Sequence, residues 1–255
     1  MNNCAVRVVG WAKPHLEAGT ASTCMLFSCA HTPHTLLVDC GHGAVSVILE
    51  ADLLGSIGAV LLTHLHPDHW ADLFALRNAL LNSGTDKKVD LHVGPGNEEV
   101  LARICDTMAI GRGYFSDFFN LHEYEPGINT TILSFEVSFF RTRHSADTHG
   151  LKIRHQQGPA IIFAADTGPY PQLPQDLQGA QLVILECNTE ERAEGDAVHM
   201  CVEDLLVLLG KLPDCKSVCI SHYPLGARER IQSRLSDAFP KISVHMATTG
   251  LELGV

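Results

Sequence analysis

The chain has 255 residues, 45% hydrophobic and 18% charged, values that describe an ordinary globular interior. A formal net charge of −11, with only 18 Lys and Arg, argues against a protein that grips long RNA or DNA through a basic face. It favours a small anionic or neutral partner. No apolar run approaches a membrane span, residues 1–7 lack the pattern of a secretory signal, and no linker or repeat divides the sequence. We therefore expect a single cytoplasmic domain over residues 1–255 with no membrane partner. The nine Cys are odd in number and form no C-x-x-C pairs, so most read as small core residues in a reducing compartment.

In chain order, residues 6–9, 24–27 and 35–40 are short β-type runs separated by turns, consistent with a meander. Residues 44–54 pattern as a helix with Val45, Ile48, Leu49 and Leu53 on one side. A buried strand at 57–62 is followed by a second helical pattern, with Trp70, Leu73, Phe74, Arg77, Leu80 and Leu81 facing inward. Residues 89–93 read as a strand. Asn97 then caps a helix that buries Val100, Leu101 and Ile104. The Gly- and aromatic-rich stretch 111–119 is too irregular for a helix and is expected to rim a site. Residues 133–139 alternate as a strand that leads into Arg141-Thr142-Arg143-His144. Residues 151–154 and 160–165 form a hairpin about Gln156-Gln157-Gly158-Pro159. Residues 182–188 are a buried strand and 202–209 a helix. Residues 218–223 are a buried strand ending in His222 and Tyr223.

One stretch carries the chemistry. Thr63-His64-Leu65-His66-Pro67-Asp68-His69 packs three imidazoles and a carboxylate between a core strand and a core helix. Such a turn is costly to bury unless something binds those groups. Neutral imidazole with carboxylate suits zinc, manganese or ferrous iron. His64 and His66, two apart, can grip one metal, while Asp68 and His69 reach round the turn toward a second.

The T-H-x-H-x-D-H element after a buried strand resembles the signature of the metallo-β-lactamase superfamily. The resemblance implies an α/β fold, a four-layer αβ/βα sandwich of two mixed sheets with outer helices. It also implies two divalent metal ions, zinc with manganese or iron as substitutes. Matched position by position, His64, His66 and His144 hold one ion, Asp68, His69 and His222 the other, and Asp166 in Ala165-Asp166-Thr167-Gly168 bridges them. Asp39, in Leu37-Val38-Asp39-Cys40-Gly41, resembles the carboxylate that steadies the ligands from behind. Within the superfamily, Glu186 and the Val198-His199-Met200 segment preceded by Ala197 are similar to the ribonuclease Z and phosphodiesterase branch. The likeness is greatest to phosphoribosyl cyclic phosphodiesterases of the carbon–phosphorus lyase pathway. Thr249 stands where that group has an acid, and its Cys-rich zinc loop is missing.

That resemblance implies His199, Glu186 and the ligand Asp68 as catalytic residues. The substrate would be a small cyclic nucleotide or ribose phosphodiester. The cations would activate water and offset phosphoryl charge, and His199, oriented by Glu186, would protonate the leaving oxygen. Alternatives are tRNA 3′-processing of the ribonuclease Z type, and lactone or thioester hydrolysis. The short span between His144 and Asp166 leaves no room for a tRNA-clamping arm, so long nucleic acid is disfavoured. Lys13, Arg141, Arg143 and Tyr223 are candidate substrate contacts, and residues 114–119 a candidate homodimer contact.

Overall fold

The computed structural model describes residues 4–16, 18–30, 32–84, 88–156, 158–192, 195 and 198–255. Gln157 and Ala197 of the expected turns lie outside them. The meander forms as β1 (Cys4–Gly10), β2 (Cys24–Cys29) and β3 (Thr35–Val38), paired antiparallel. The sheet then continues in parallel through β4 (Ile57–Leu61), β5 (Asp90–Val93) and β6 (Asn120–Glu123). A second sheet repeats this plan. Its antiparallel part is β7 (Thr130–Ile132), β8 (Phe135–Arg141), β9 (His149–His155) and β10 (Ala160–Phe163). From β10 it runs parallel through β11 (Ala180–Glu186), β12 (Ser217–Ser221) and β13 (Ser243–Met246). Finally β14 (Glu252–Gly254) pairs with β1 at the edge of the first sheet.

Period-two alternation decides which layer each strand residue enters. Leu36, Val38, Ala59 and Leu61 point into the core shared by both sheets. Their neighbours Leu37, Val60 and Leu62 point outward against α1 (Ala44–Glu50), α3 (Leu73–Asn82) and α4 (Asn97–Thr107). Strand β11 is buried on both faces, because α6 (Val202–Leu209) and α7 (Arg228–Ala238) cover the second sheet from outside. The remaining short helices are α2 (Pro67–Trp70) and α5 (Leu173–Asp176). The result is the expected four-layer α/β sandwich. Among the described residues no helix is long and apolar enough to cross a membrane.

Several local expectations need correction. Helix α1 stops at Glu50 instead of 54, with Leu49 52% exposed, because the chain turns at Asp52 in left-handed conformation. In α3 the buried stripe is Leu73, Leu76 and Leu80, and Leu81 is 53% exposed; a helix of that length presents only a narrow face to a sheet. Gly96, not Asn97, caps α4 in left-handed conformation, and Val100 is exposed. The predicted strand 133–139 begins only at Phe135, because residues 133–134, with positive φ at Leu133, form the turn between β7 and β8. Cys4 and Cys29, cross-strand partners in β1 and β2, form a disulfide, whereas seven other cysteines are free and buried. The aromatic stretch does not rim a cleft. Phe115 and Phe119 are buried beside Phe74 and Trp70, while Arg77 stacks on Tyr114.

Candidate metal centre

Parallel strands in one sheet end at one edge, and the turns leaving their carboxyl ends face each other there. Here β3 ends in Asp39, β4 in Thr63 and His64, β10 leads to Asp166, β11 ends in Glu186 and β12 leads to His222. Strand β8 runs in the same direction as β10 and delivers His144. Three of these turns are strained: Asp39, Ala165 and His222 have φ of 60°, 53° and 53°. Left-handed backbone at non-glycine residues costs on the order of 1–3 kcal/mol and clusters at functional sites. Hydrogen bonds hold it here. Asp39 N–H donates to Leu61 O at 2.8 Å and His222 N–H to Trp11 O at 2.7 Å.

Two groups of donor atoms converge at this edge. His64 Nε2 lies 3.0 Å and His144 Nε2 2.9 Å from His66 Nδ1, so three imidazole nitrogens from two separate turns meet at one point. Beside them stand Asp68, His69, Asp166 and His222. His69 Nε2 is 3.4 Å from Asp166 Oδ1 and 3.7 Å from Asp68 Oδ2. His222 Nε2 is 3.3 Å from Asp68 Oδ2 and 3.7 Å from Asp166 Oδ2. Asp166 Oδ2 also lies 3.9 Å from His144 Nε2, so this carboxylate faces both groups. All seven residues proposed as ligands from the sequence are brought together.

The opposite side of each ring is also engaged. His69 Nδ1–H donates to Asp39 Oδ2 at 2.7 Å. Asp39 further accepts from Thr63 N–H at 2.8 Å and from Thr63 Oγ1–H at 2.9 Å, and that hydroxyl sits 3.1 Å from His64 Nδ1. His144 Nδ1–H donates to Val198 O at 3.1 Å. These bonds fix tautomers that turn lone pairs of His64, His69 and His144 inward. Asp39 therefore orients one ligand directly and a second through Thr63.

The residues fit a divalent cation. His69 Nε2 is buried without a hydrogen-bond partner and is aimed between two carboxylates. Burial holds His64, His66 and His144 below the usual imidazole range, with neighbouring imidazoles adding to it, so they are neutral ligands. Burial opposes charge on Asp166, yet His222 and His69 outweigh it and hold that carboxyl well below its usual range. For His69 burial is likewise outweighed, by Asp166 and Asp39, and its pKa is raised. A buried ring nitrogen aimed between two carboxylates marks a position that calls for positive charge.

A cleft of about 520 Å³ opens over these atoms. His66, Asp68, His144, Asp166, His199 and His222 line one wall. His199 Nδ1 is held by both oxygens of Glu186, at 2.8 and 3.0 Å, and Glu186 also accepts from Thr167 N–H at 2.7 Å. Glu186 is buried and pushed well up by that burial and by Asp166, whereas burial lowers His199. Lys13, His15 and His42 also line the cleft. Of the expected substrate contacts only Lys13 lines this cleft. Arg141 pairs with Asp147, Arg143 donates to Pro169 O, and Tyr223 is buried with its hydroxyl on Ala247 O. Neither His15 nor His42 is singled out by the sequence; both sit on loops with no periodic pattern to reveal their direction. Gly41 has a purpose that its motif alone does not give, since a Cβ there would lie 2.0 Å from Asp68 O.

This edge, with its paired His/Asp groups at the ends of two mixed sheets, defines a metallo-hydrolase. Residues 34–223 match the Beta-lactamase superfamily domain; the chain belongs to that superfamily and is a metal-dependent hydrolase with the metallo-β-lactamase fold. It is similar to the probable metallo-hydrolase YhfI of Bacillus subtilis, 25% identical over 198 residues that span 76% of this chain and 77% of the relative. The crystal structure of YhfI superposes with a TM-score of 0.86 at 20% identity, covering 99% of this chain and 100% of that one. A ribonuclease Z of Picosynechococcus is 29% identical over 155 residues, 59% of this chain but only 48% of the relative's length. A diphosphatase from the PhnP family has the same fold, with a TM-score of 0.76 at 14% identity over 100% of this chain and 98% of that chain.

Proposed function

We propose that the protein hydrolyses a small phosphodiester, a cyclic nucleotide or a ribose phosphodiester, with two divalent ions, zinc first. The observation that carries this reading is the Glu186–His199 pair on the cleft wall next to Asp166. A thiolate leaves a thioester readily without such a donor, whereas an alkoxide leaving phosphorus is poor and gains much.

His64, His66 and His144 would hold one ion, Asp68, His69 and His222 the other, with Asp166 shared. Bound ions would activate water and neutralise phosphoryl charge. The chain's own part is positional and acid–base. Asp39 and Thr63 keep the ligand tautomers fixed. Glu186 holds His199 by Nδ1, which leaves Nε2 to carry a proton toward the cleft. Donation from Nε2 to the leaving oxygen is matched by the proton retained between Nδ1 and Glu186, so the pair gives up one proton in total.

A second reading, tRNA 3′-processing, is favoured by the ribonuclease Z relative. Against it stand the charge of −11 and the way β9 and β10 take up the span between His144 and Asp166. Metal analysis joined to a substrate panel tests the choice: bis(p-nitrophenyl) phosphate, 2′,3′- and 3′,5′-cyclic nucleotides, a precursor tRNA, a lactone and a thioester. We expect two metals per chain and turnover of the small phosphodiesters. Turnover of only the lactone or thioester would refute the reading, and a strong preference for the precursor tRNA would favour the second.

A further inference from the structure

A second cavity, of about 200 Å³, adjoins the metal cleft and shares Lys13 and His15 with it. Its floor is aromatic. Trp11 stacks on Tyr223 with ring centroids 4.5 Å apart and planes at 19°, both nearly fully buried. Ala12, Pro224 and Leu225 complete apolar walls, Thr20 adds a hydroxyl, and among the described residues no carboxylate lines the cavity. The floor is rigidly tied to the metal centre. Tyr223 follows the ligand His222, whose N–H donates to Trp11 O, and the Tyr223 hydroxyl donates to Ala247 O at 2.6 Å.

Packing demands alone explain the buried Trp11–Tyr223 pair but not the space beside it. Leu225 stands at the mouth with 42% of its surface exposed, an apolar side chain held over a cavity and not folded into the core. Lys13 lies where cavity and cleft meet, its Nζ anchored 2.9 Å from Asn188 O. One molecule can therefore place phosphate over the metal ligands, an anionic edge at Lys13 and an uncharged ring in the annex.

We propose that the cavity bounded by Trp11, Tyr223, Pro224 and Leu225 is a ring subsite that takes the nucleobase of a nucleoside phosphodiester. The inference rests on the phosphodiesterase reading and narrows it, because a ringless ribose phosphodiester leaves the annex empty. The volume admits one base and no second nucleotide, so the preferred substrate carries a single nucleoside. Base–aromatic contact and burial contribute on the order of tenfold or more in binding.

The test uses the metal-loaded full chain and two readouts. Gly226 lines the cavity, has no positive φ, and a Cβ there meets nothing within 4 Å, so Gly226→Phe adds bulk without removing a core residue. The first readout is kcat/KM for adenosine 3′,5′-cyclic phosphate against the base-free ribose 3,5-cyclic phosphate. We expect at least tenfold preference for the nucleotide, collapsing about tenfold in Gly226→Phe through KM. The second is saturation-transfer NMR with AMP and ribose 5-phosphate, which needs no turnover. The base protons of AMP should receive the strongest saturation, and lose it in Gly226→Phe. Leu225→Ala, which removes the rim, should weaken AMP binding without the added bulk. Equal handling of nucleotide and base-free compounds, unmoved by these variants, overturns the ring subsite and leaves the phosphodiesterase reading standing. If no phosphodiester is cleaved yet base saturation depends on position 226, the subsite stands and the reaction assignment fails.

Discussion

Replacing Asp39 by Asn tests how this centre is held. Asn tolerates the left-handed backbone at this position, φ 60°, and keeps one carbonyl-type oxygen for Thr63 N–H, so the fold should survive. The new amide, however, stands where Oδ2 accepts from His69 Nδ1–H and Thr63 Oγ1–H. A donor now faces a donor. His69 must turn its proton to Nε2, whereas the Thr63 hydroxyl can still donate to the remaining oxygen, 3.1 Å away, so His64 keeps its tautomer. The group of Asp68, His69 and His222 thereby loses one inward lone pair, that of His69. Partners behind metal ligands typically contribute 10–100-fold in affinity, about 1.4–2.8 kcal/mol, and a loss in that range is expected for the ion that His69 would hold. Competition with a chromophoric chelator and metal stoichiometry after gel filtration measure this, with melting of the metal-free proteins as the folding control. Wild-type affinity for both ions in Asp39→Asn would refute the tautomer argument.

Other expectations follow from the same geometry. Asp166→Ala should release both ions, because Asp166 alone faces both donor groups, and elemental analysis that finds either ion retained at wild-type affinity counts against a bridge. His199→Ala should keep both metals and slow a cyclic nucleotide about a hundredfold to ten-thousandfold. It should affect bis(p-nitrophenyl) phosphate far less, since that leaving group needs no proton; equal slowing would make His199 a positioning group. Gly41→Ala should push back the Asp68 backbone and weaken metal binding while the cores stay intact, visible as lost metal with little loss of cooperativity in unfolding. His92 is buried against β6, stacked on His122, and burial followed by His122 lowers its pKa to about 4. The unfolded imidazole protonates near 6.5, so the stability is present above that pH and is lost as pH falls toward 4, by about 3 kcal/mol. Urea unfolding at pH 7 and pH 5 should show His92→Phe losing less stability on acidification than wild type.

The sequence by itself determined whatever neighbouring residues decide. His64, His66, Asp68 and His69 lie within one turn, so their spacing alone announces a metal-binding edge. Strand alternation likewise set which face of β3 and β4 enters the core. His144, Asp166, His222 and Asp39 carry no such local signal. They could be assigned only by resemblance to a family pattern, and it is the shared direction of β3, β4, β8, β10 and β12 that brings them within a few ångströms. Tertiary structure alone decided the rest. Leu49, Leu81 and Val100 are exposed because a short helix against a sheet buries a narrow stripe, whatever its apolar content. Cys4 meets Cys29 through the register of β1 on β2, which nothing near either cysteine specifies. The same holds for Lys13, His15 and His42 at the cleft and for the annex between Trp11 and Tyr223. Loop direction depends on hydrogen bonds to distant strands, such as His222 N–H to Trp11 O, and a linear pattern does not contain those partners.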